Sequence, residues 1–250
     1  MRRIFLEIAY DGTNYCGWQV QNNALSVQEV LDRTLSEWLQ EDIHTIGASR
    51  TDAGVHALGN VAVFDTETLI PGDKYAFGLN SRLPDDICIQ QSFEVPPEFH
   101  PRFTETVKTY EYKILNRKFP DPTRRRDSLF YYGRLDHEAM NEAASYLAGP
   151  HDFKSFCAAG HDAKTTVRTI YSAFVEKDGD MIRLEITGNG FLYNMVRIIA
   201  GTLIEIGKGA LKPDDMKRII QAKDREAAGP TAPAHGLTLV GIEYPEWEGL

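Results

Sequence analysis

The chain has 250 residues, a formal net charge of −9 at pH 7, 42% hydrophobic residues and 25% charged residues, the composition of an ordinary globular protein. No apolar run approaches the roughly 18 residues of a membrane-spanning helix, and the first residues lack the apolar core of a signal peptide. Three scattered cysteines argue against a disulfide framework, so we expect a cytoplasmic protein of one large or two small domains.

The beginning of the chain predicts a strand, a loop and a helix. Apolar side chains alternate with others over residues 4–10, as on a strand with one buried face. Ser26 and Glu29 form a capping box at the start of a helix. The apolar face of this helix consists of Val27, Val30, Leu31, Leu35 and Trp38. Residues 43–46 and 60–64 are apolar and predict two more strands.

A small, polar run from Gly47 to Ala57 lies between these two predicted strands and is the candidate functional loop. The guanidinium of Arg50 suits a carboxylate or a phosphate. The carboxylate of Asp52 could act as a nucleophile or a base. The alternative is structural, because an aspartate in this position could also cap a short helical turn.

Residues 74–80 predict a short helix, and residues 87–95 predict a strand. Pro96, Pro97 and Pro101 then interrupt regular structure and mark a domain boundary. We therefore predict an N-terminal α/β half over residues 1–100, which carries Asp52, and a C-terminal α/β half over residues 101–250.

The C-terminal half mixes strands and helices in the same way. Strands are predicted over residues 107–115, 167–175, 181–187 and 237–242, with helices after Asp136, over residues 193–206 and from Pro213. The segment from Lys177 to Asp180 contains Asp-Gly and predicts a hairpin between two of these strands. Hairpin pairing favours an α+β fold over a doubly wound parallel sheet.

Charge is unevenly distributed along the chain. Residues 1–100 contain six Lys and Arg against fifteen Asp and Glu, a net charge of −9, whereas residues 101–134 contain nine against four, a net charge of +5. Within the basic stretch, residues 119–127 predict an exposed loop that carries Arg124, Arg125 and Arg126. This loop is either a phosphate-binding face or a solvated surface.

Several motifs occur in the order found in one enzyme family. The central one is Ser49-Arg50-Thr51-Asp52-Ala53-Gly54-Val55-His56-Ala57. The others are Tyr10-Asp11-Gly12-Thr13-Asn14-Tyr15 with Gly17-Trp18-Gln19, Asn80-Ser81-Arg82-Leu83-Pro84, His100-Pro101-Arg102-Phe103, Lys108-Thr109-Tyr110-Glu111-Tyr112, Asn189 to Arg197, and Ala232 to Leu237. Together they span nearly the whole chain, which resembles the tRNA pseudouridine synthase A family.

The resemblance implies two α/β halves that share one continuous central sheet, with the active-site cleft between them, and a homodimer. It implies conversion of uridine to pseudouridine at positions 38 to 40 of the tRNA anticodon stem-loop. That reaction oxidises nothing and carries no group, so we expect no cofactor and no metal. The target nucleotide must leave the helical stack before its atoms can be reached.

The resemblance also implies roles for single residues. Asp52 would attack the nucleoside, Arg197 would pair with Asp52 and orient it, and Tyr110 would stack on the base. Leu237 would form an apolar wall of the pocket. Tyr110 and Leu237 could also be ordinary strand core, because both occupy apolar faces of predicted strands.

The remaining candidate residues are contacts to the nucleic acid. Arg50, Arg82 and Arg102 suit phosphates, although each could be a structural ion pair. Gln19 could line the cleft, and Trp18 could line it or anchor its loop on the core.

The sequence also has four other interpretations. Cys157, His161 and His151 lack the second ligand pair of a structural zinc site. A glycosidase-like hydrolase would need a second carboxylate about 5–10 Å from Asp52, and no acid is evidently placed for it. An inactive RNA-binding module and a pseudouridine synthase with another RNA target stay open.

Neutralising Arg124, Arg125 and Arg126 together should weaken RNA affinity and flatten its salt dependence, because each phosphate contact releases counterions. The measurement is RNA binding by the Gln triple variant at low and high salt. Unchanged binding at both salt concentrations would rule out this loop as a contact.

Overall fold

The structure is a computed structural model, described here for residues 1–22, 24–160 and 164–247. In this part of the chain, ten strands and five α-helices form an α+β fold, as the sequence predicts. The chain divides into two compact units: the first contains Met1–Thr106 and the chain from Leu239 onward, and the second contains Val107–Thr238. None of the described helices combines the length and apolar character that a membrane crossing requires.

The first unit is an antiparallel sheet with two helices. Its strands are β1 (Arg2–Tyr10), β2 (Ile46–Gly47), β3 (His56–Thr66) and β4 (Ile87–Val95), and its helices are α1 (Val27–Leu39) and α2 (Tyr75–Asn80). Strand β1 lies between β4 and β3, and its Ile8 is opposite Asn60 of β3. Strand β2 extends this order because Ile46 pairs with Val63 on the other side of β3.

The second unit is also built on a sheet. Its strands are β5 (Val107–Asn116), β6 (Leu129–Tyr131), β7 (Gly149–Asp152), β8 (Val167–Asp178) and β9 (Met181–Gly188), and its helices are α3 (His137–Ser145), α4 (Met195–Gly207) and α5 (Asp215–Ala222). Strands β5, β9, β8 and β7 are neighbours in that order and antiparallel, while β6 runs parallel to β5. Strand β10 (Leu237–Glu243) begins in the second unit and ends in the first.

Most predicted elements are confirmed with small shifts at their ends. The predicted hairpin turn is formed by Gly179, with φ 57°, and Asp180, between β8 and β9. Asp136 caps α3, because its side chain accepts a hydrogen bond of 3.0 Å from the backbone N–H of Ala139. Helix α4 begins two residues later than predicted, because Asn194 has a left-handed backbone, with φ 59°.

The predicted strand over residues 43–46 is wrong, since β2 contains only Ile46 and Gly47. The preceding backbone groups bind side chains of α1 instead of a neighbouring strand. The N–H of Ile43 donates to Ser36 Oγ at 3.0 Å, and that of Thr45 donates to Asp32 Oδ1 at 2.9 Å. These bonds satisfy the donors that a strand ladder would otherwise use.

The predicted strand over residues 60–64 is confirmed but is too short. Strand β3 extends from His56 to Thr66, because it pairs with β1 along nearly the whole length of both strands. The last two residues of the candidate functional loop therefore belong to a strand. The loop is consequently anchored at its C-terminal end by the sheet.

Replacing Ser26 by alanine should destabilise the first unit. Its buried Oγ accepts a 3.2 Å hydrogen bond from the N–H of Glu29 at the start of α1, and losing such a cap costs about 1 kcal/mol. Urea unfolding measures the effect. Ser145→Ala is the control, because the Ser145 hydroxyl is exposed on α3 and only donates, to the carbonyl oxygen of Glu142. Equal losses in both variants would contradict the capping role.

Candidate active site

Asp52 lies at the start of a tight turn between β2 and β3. Its carbonyl oxygen accepts a 3.1 Å hydrogen bond from the N–H of Val55, and Gly54 has a φ of 77°. These features are typical of a β-turn with glycine at its third position. The structural alternative, in which Asp52 caps a short helical turn, is not observed, because the described residues after Asp52 form no such turn. The Asp52 side chain is half-buried and therefore still accessible to a ligand.

Backbone atoms of the loop after β1 hold this turn. The N–H of Trp18 donates to the carbonyl oxygen of Thr51 at 3.1 Å, and the N–H of Gly54 donates to that of Tyr15 at 3.2 Å. Gly17, with a φ of 89°, lies so close that an added Cβ would be 2.4 Å from the Thr51 carbonyl oxygen. The backbone on both sides of Asp52 is thus fixed by the first loop.

A buried network of polar side chains from the sheet holds the residues just before Asp52. The hydroxyl of Tyr10 on β1 lies 2.7 Å from Thr51 Oγ1, next to Asp52. Asn60 on β3 donates from Nδ2 to the Tyr10 hydroxyl and to the carbonyl oxygen of Ser49, both at 3.2 Å. Tyr10 is 4% exposed and Asn60 is fully buried. Buried networks with satisfied partners hold one conformation, so these residues are positioning residues for the loop.

Sequence reasoning did not identify the roles of Tyr10, Asn60 and His56. One signal was present, because Asn60 is an uncharged polar residue at the edge of an apolar run and such residues need partners when buried. His56 is also largely buried, and its Nδ1 lies 3.1 Å from Asp11 Oδ1 and 3.1 Å from the N–H of Gly12. These contacts join the candidate loop to the Asp-Gly motif that follows β1.

Trp18 is an anchor of its loop. Its side chain is 1% exposed, and its indole packs so closely under Gly47 that an added Cβ there would lie 2.2 Å from Nε1. The next residue, Gln19, is exposed on the same loop. Of the two, Gln19 is the one accessible to a ligand.

The three candidate arginines of the first unit are all exposed but make different contacts. Arg102 Nη2 donates to the carbonyl oxygen of Gly47 at 3.1 Å, so it holds the beginning of the candidate loop. Arg82 Nη1 donates to the carbonyl oxygen of Gly78 at 2.6 Å, and the guanidinium lies 4.8 Å from the centre of the Trp38 ring. Arg50 lies two residues before Asp52.

Tyr110 belongs to the second unit, on β5. It is 7% exposed, and its ring packs edge-on against Phe191 with a centroid distance of 5.0 Å. Tyr112, on the same face, is fully buried and donates to the carbonyl oxygen of Pro233 at 2.8 Å. Burial raises the pKa of Tyr112 far above its usual value, which keeps its hydroxyl protonated.

Arg197 is fixed in the second unit at the start of α4. Its Nε donates to the carbonyl oxygen of Ala232 at 2.8 Å, and its Nη1 donates to Asn194 Oδ1 at 2.7 Å. In return, the N–H of Ala232 donates to the Arg197 carbonyl oxygen at 3.0 Å. One bond to the loop before β10 and one to Asn194 therefore hold the guanidinium in one orientation.

Leu237 follows this loop as the first residue of β10 and is 5% exposed. The preceding Gly236 packs against Tyr112, where an added Cβ would lie 2.7 Å from the ring. The loop that binds Arg197 is thus also packed on the strand that carries Tyr110. Within the second unit, α4, the loop before β10 and β5 form one connected arrangement.

The metal interpretation finds no support in the described residues, where no group of three potential ligands is close enough to hold an ion. Cys157 is buried, and this burial raises the pKa of its thiol, which disfavours the thiolate that binds metals. His161, the other residue of that spacing, lies outside the described residues.

Gly17→Ala should destabilise the first unit by about 1–3 kcal/mol more than Gly209→Ala. Both glycines have positive φ, 89° and 77°, but only at Gly17 would the added Cβ meet another atom, the Thr51 carbonyl oxygen. The pair therefore separates steric overlap from backbone strain. Urea unfolding of the two variants measures the difference in stability. Equal losses of stability would show that the loop containing Gly17 can move away from Thr51 without an energetic cost.

Comparison with known proteins supports the family resemblance that the sequence motifs indicate. The sequence profile of the family described as tRNA pseudouridine synthase matches residues 8–104 and 143–245, which include Asp52 and Arg197 but not Tyr110. Relatives named tRNA pseudouridine synthase A are 50% identical in Thermoanaerobacter sp. (strain X514), 51% in Ruminiclostridium cellulolyticum and 49% in Acetivibrio thermocellus. Each alignment covers 98% of this chain and 100% of the relative. The chain therefore belongs to the tRNA pseudouridine synthase family of isomerases.

Proposed function

We propose that this chain converts uridine to pseudouridine at positions 38 to 40 in the anticodon stem-loop of tRNA. The observation that carries the reaction and the tRNA substrate is full-length similarity to relatives named tRNA pseudouridine synthase A. The positions within the tRNA rest on the motif resemblance. An enzyme that modifies several neighbouring positions must recognise RNA shape and backbone more than base identity.

The chemistry requires few groups. The bond between N1 of the base and C1′ of the ribose breaks, the base turns, and a bond forms between C5 and C1′. C5 loses its hydrogen as a proton, N1 takes up a proton, and no electrons are gained or lost, so the product is an isomer of uridine. One carboxylate, a surface for the base and a group that orients the carboxylate are sufficient, so no cofactor is needed.

Asp52 is the proposed nucleophile. Its support is the match to the family motif together with a half-buried carboxylate on a turn whose backbone is bonded on both sides. Holding a reacting group in one place removes much of the entropic cost of reaching the transition state. Whether Asp52 attacks the sugar or the base, the same rigid turn would present it.

Arg197 and Tyr110 complete the proposed catalytic set. Arg197 would orient Asp52 and favour its ionised form, and its fixed guanidinium supports this role. Tyr110 would contact the target base with its ring or hydroxyl. Leu237, almost fully buried beside the loop that holds Arg197, would supply an apolar wall.

The same proposal assigns contacts with the tRNA to Arg50, Arg82, Arg102 and Gln19, all of them exposed. For Arg82, the hydrogen bonds use only Nη1 of the guanidinium, which has five N–H donors. The protein would act as a homodimer in the cytoplasm, where its substrate is found.

Two alternatives remain distinct from this proposal. A catalytically inactive RNA-binding module would bind tRNA without changing it. A pseudouridine synthase with another RNA target would be active on a different substrate. The breadth of the similarity to relatives named for tRNA favours the proposed substrate.

Asp52→Asn should abolish the release of tritium from tRNA that carries uridine labelled at C5, while tRNA binding persists. Asparagine keeps the shape of the side chain but removes the nucleophile, so the rate should fall by about 10⁴ or more. Asp42→Asn is the control, because this carboxylate is 91% exposed and lies on the surface after α1.

The outcomes separate the alternatives. Release that is lost only in Asp52→Asn establishes both the reaction and its nucleophile. No release from the wild-type protein, with tRNA binding retained, would indicate the inactive binding module or another RNA target. Equal release from the wild-type protein and Asp52→Asn would show that Asp52 is only a turn residue.

A further inference from the structure

An open depression of about 470 Å³ lies at the ends of β5 and β6 in the second unit. Its lining is Asn116, Arg117, Lys118, Tyr132, Gly133 and Arg134. These residues come from the two chain segments on either side of residues 119–127, the stretch that carries Arg124, Arg125 and Arg126. None of the residues assigned above to catalysis or substrate binding lines this depression.

The floor of the depression is rigid because Asn116 connects its two sides. The Nδ2 of Asn116 donates to the carbonyl oxygen of Tyr131 at 3.1 Å and to that of Gly133. Its Oδ1 accepts from the N–H of Leu135 at 3.4 Å. The depression is therefore preformed and does not have to be ordered by a ligand.

The charge of the lining is positive. Arg117, Lys118 and Arg134 contribute three cations, and no acidic residue is part of the lining. Arg117 has a distant partner, Asp180, at 3.7 Å. Within the described part of the chain, neither Lys118 nor Arg134 has a carboxylate within 4.0 Å. Two cations on one small surface thus lack a counter-charge from the protein.

Exposed aromatic rings accompany these cations. Tyr132 lines the depression and is 70% exposed, and the neighbouring Phe119 is 64% exposed. Lys118 Nζ lies 5.3 Å from the centre of the Phe119 ring. A base has a flat face that can stack on an exposed aromatic ring.

We propose that this depression is a binding subsite for one nucleotide of the RNA, remote in sequence from the catalytic motif. Lys118 and Arg134 bind a backbone phosphate, and Tyr132 stacks on the adjoining base. The combination of cations with a stacking ring fits an unpaired nucleotide better than a regular duplex, whose bases are covered. This inference rests on the proposed function only in taking tRNA as the RNA that is bound.

Two variants separate the two contacts. Lys118→Glu combined with Arg134→Glu should weaken tRNA binding about tenfold at low salt and reduce the slope of log affinity against log salt by about one, because one phosphate contact is lost. Tyr132→Ala should weaken binding about fivefold or more and leave that slope unchanged, because stacking involves no charge. Tyr132→Phe, which keeps the ring, should bind like the wild-type protein.

The control for charge is Lys154→Glu combined with Lys212→Glu. Both lysines are exposed in the second unit and lie outside the depression. In the described residues, no carboxylate lies within 4.0 Å of either ammonium group, although both backbone N–H groups donate to one. This variant has the same net charge as the double variant in the depression. If both double variants lose affinity equally, the effect is one of overall charge and the subsite is refuted.

Tritium release at saturating tRNA distinguishes this inference from the proposed function. The depression variants should reach the wild-type rate when tRNA saturates them, since no reacting group is altered. An inactive wild-type protein would refute the proposed function, and the binding measurements would still decide on the subsite. Wild-type tRNA affinity in both Lys118→Glu/Arg134→Glu and Tyr132→Ala would refute the subsite and leave the depression to another class of ligand.

Discussion

The buried hydrogen bond between Tyr10 and Thr51 is the constraint on which the candidate catalytic loop depends. Tyr10 is held by the pairing of β1 with β3, and Asn60 of β3 binds both the Tyr10 hydroxyl and the loop backbone. The sheet thereby fixes Thr51, the residue next to Asp52. A loop placed in this way can present a reactive group while its own backbone stays in one conformation.

The sequence predicted most of the fold, because strands and helices in this chain have strong local signals. Alternation of apolar residues identified β1 and β5, and the capping residues Ser26 and Asp136 identified the starts of α1 and α3. The family motifs also led to Asp52 and Arg197, both of which lie in segments that the family profile matches. These features depend on residues that are close together in the chain.

Features that depend on residues far apart in the chain were harder to predict from the sequence. The segment before β2 looked like a strand, but its backbone is bonded by Asp32 and Ser36 of α1, which no local pattern indicates. The contact of Arg102 with Gly47 joins residues far apart in the chain. Strand β10, which begins at Leu237, returns to the first unit for the same reason: its partners are determined by the three-dimensional packing and not by its own sequence.

The bonds from α1 to the segment before β2 also bear on how the first unit opens. Because Ser36 and Asp32 hold the backbone of Ile43 and Thr45, loss of the helix would release the chain that enters the candidate loop. The helix and the entrance to the loop therefore form one cooperative unit, whose amide hydrogens would exchange with solvent together. The time for which the candidate functional loop keeps its conformation is then limited by the opening of α1, a helix that contains no reacting group.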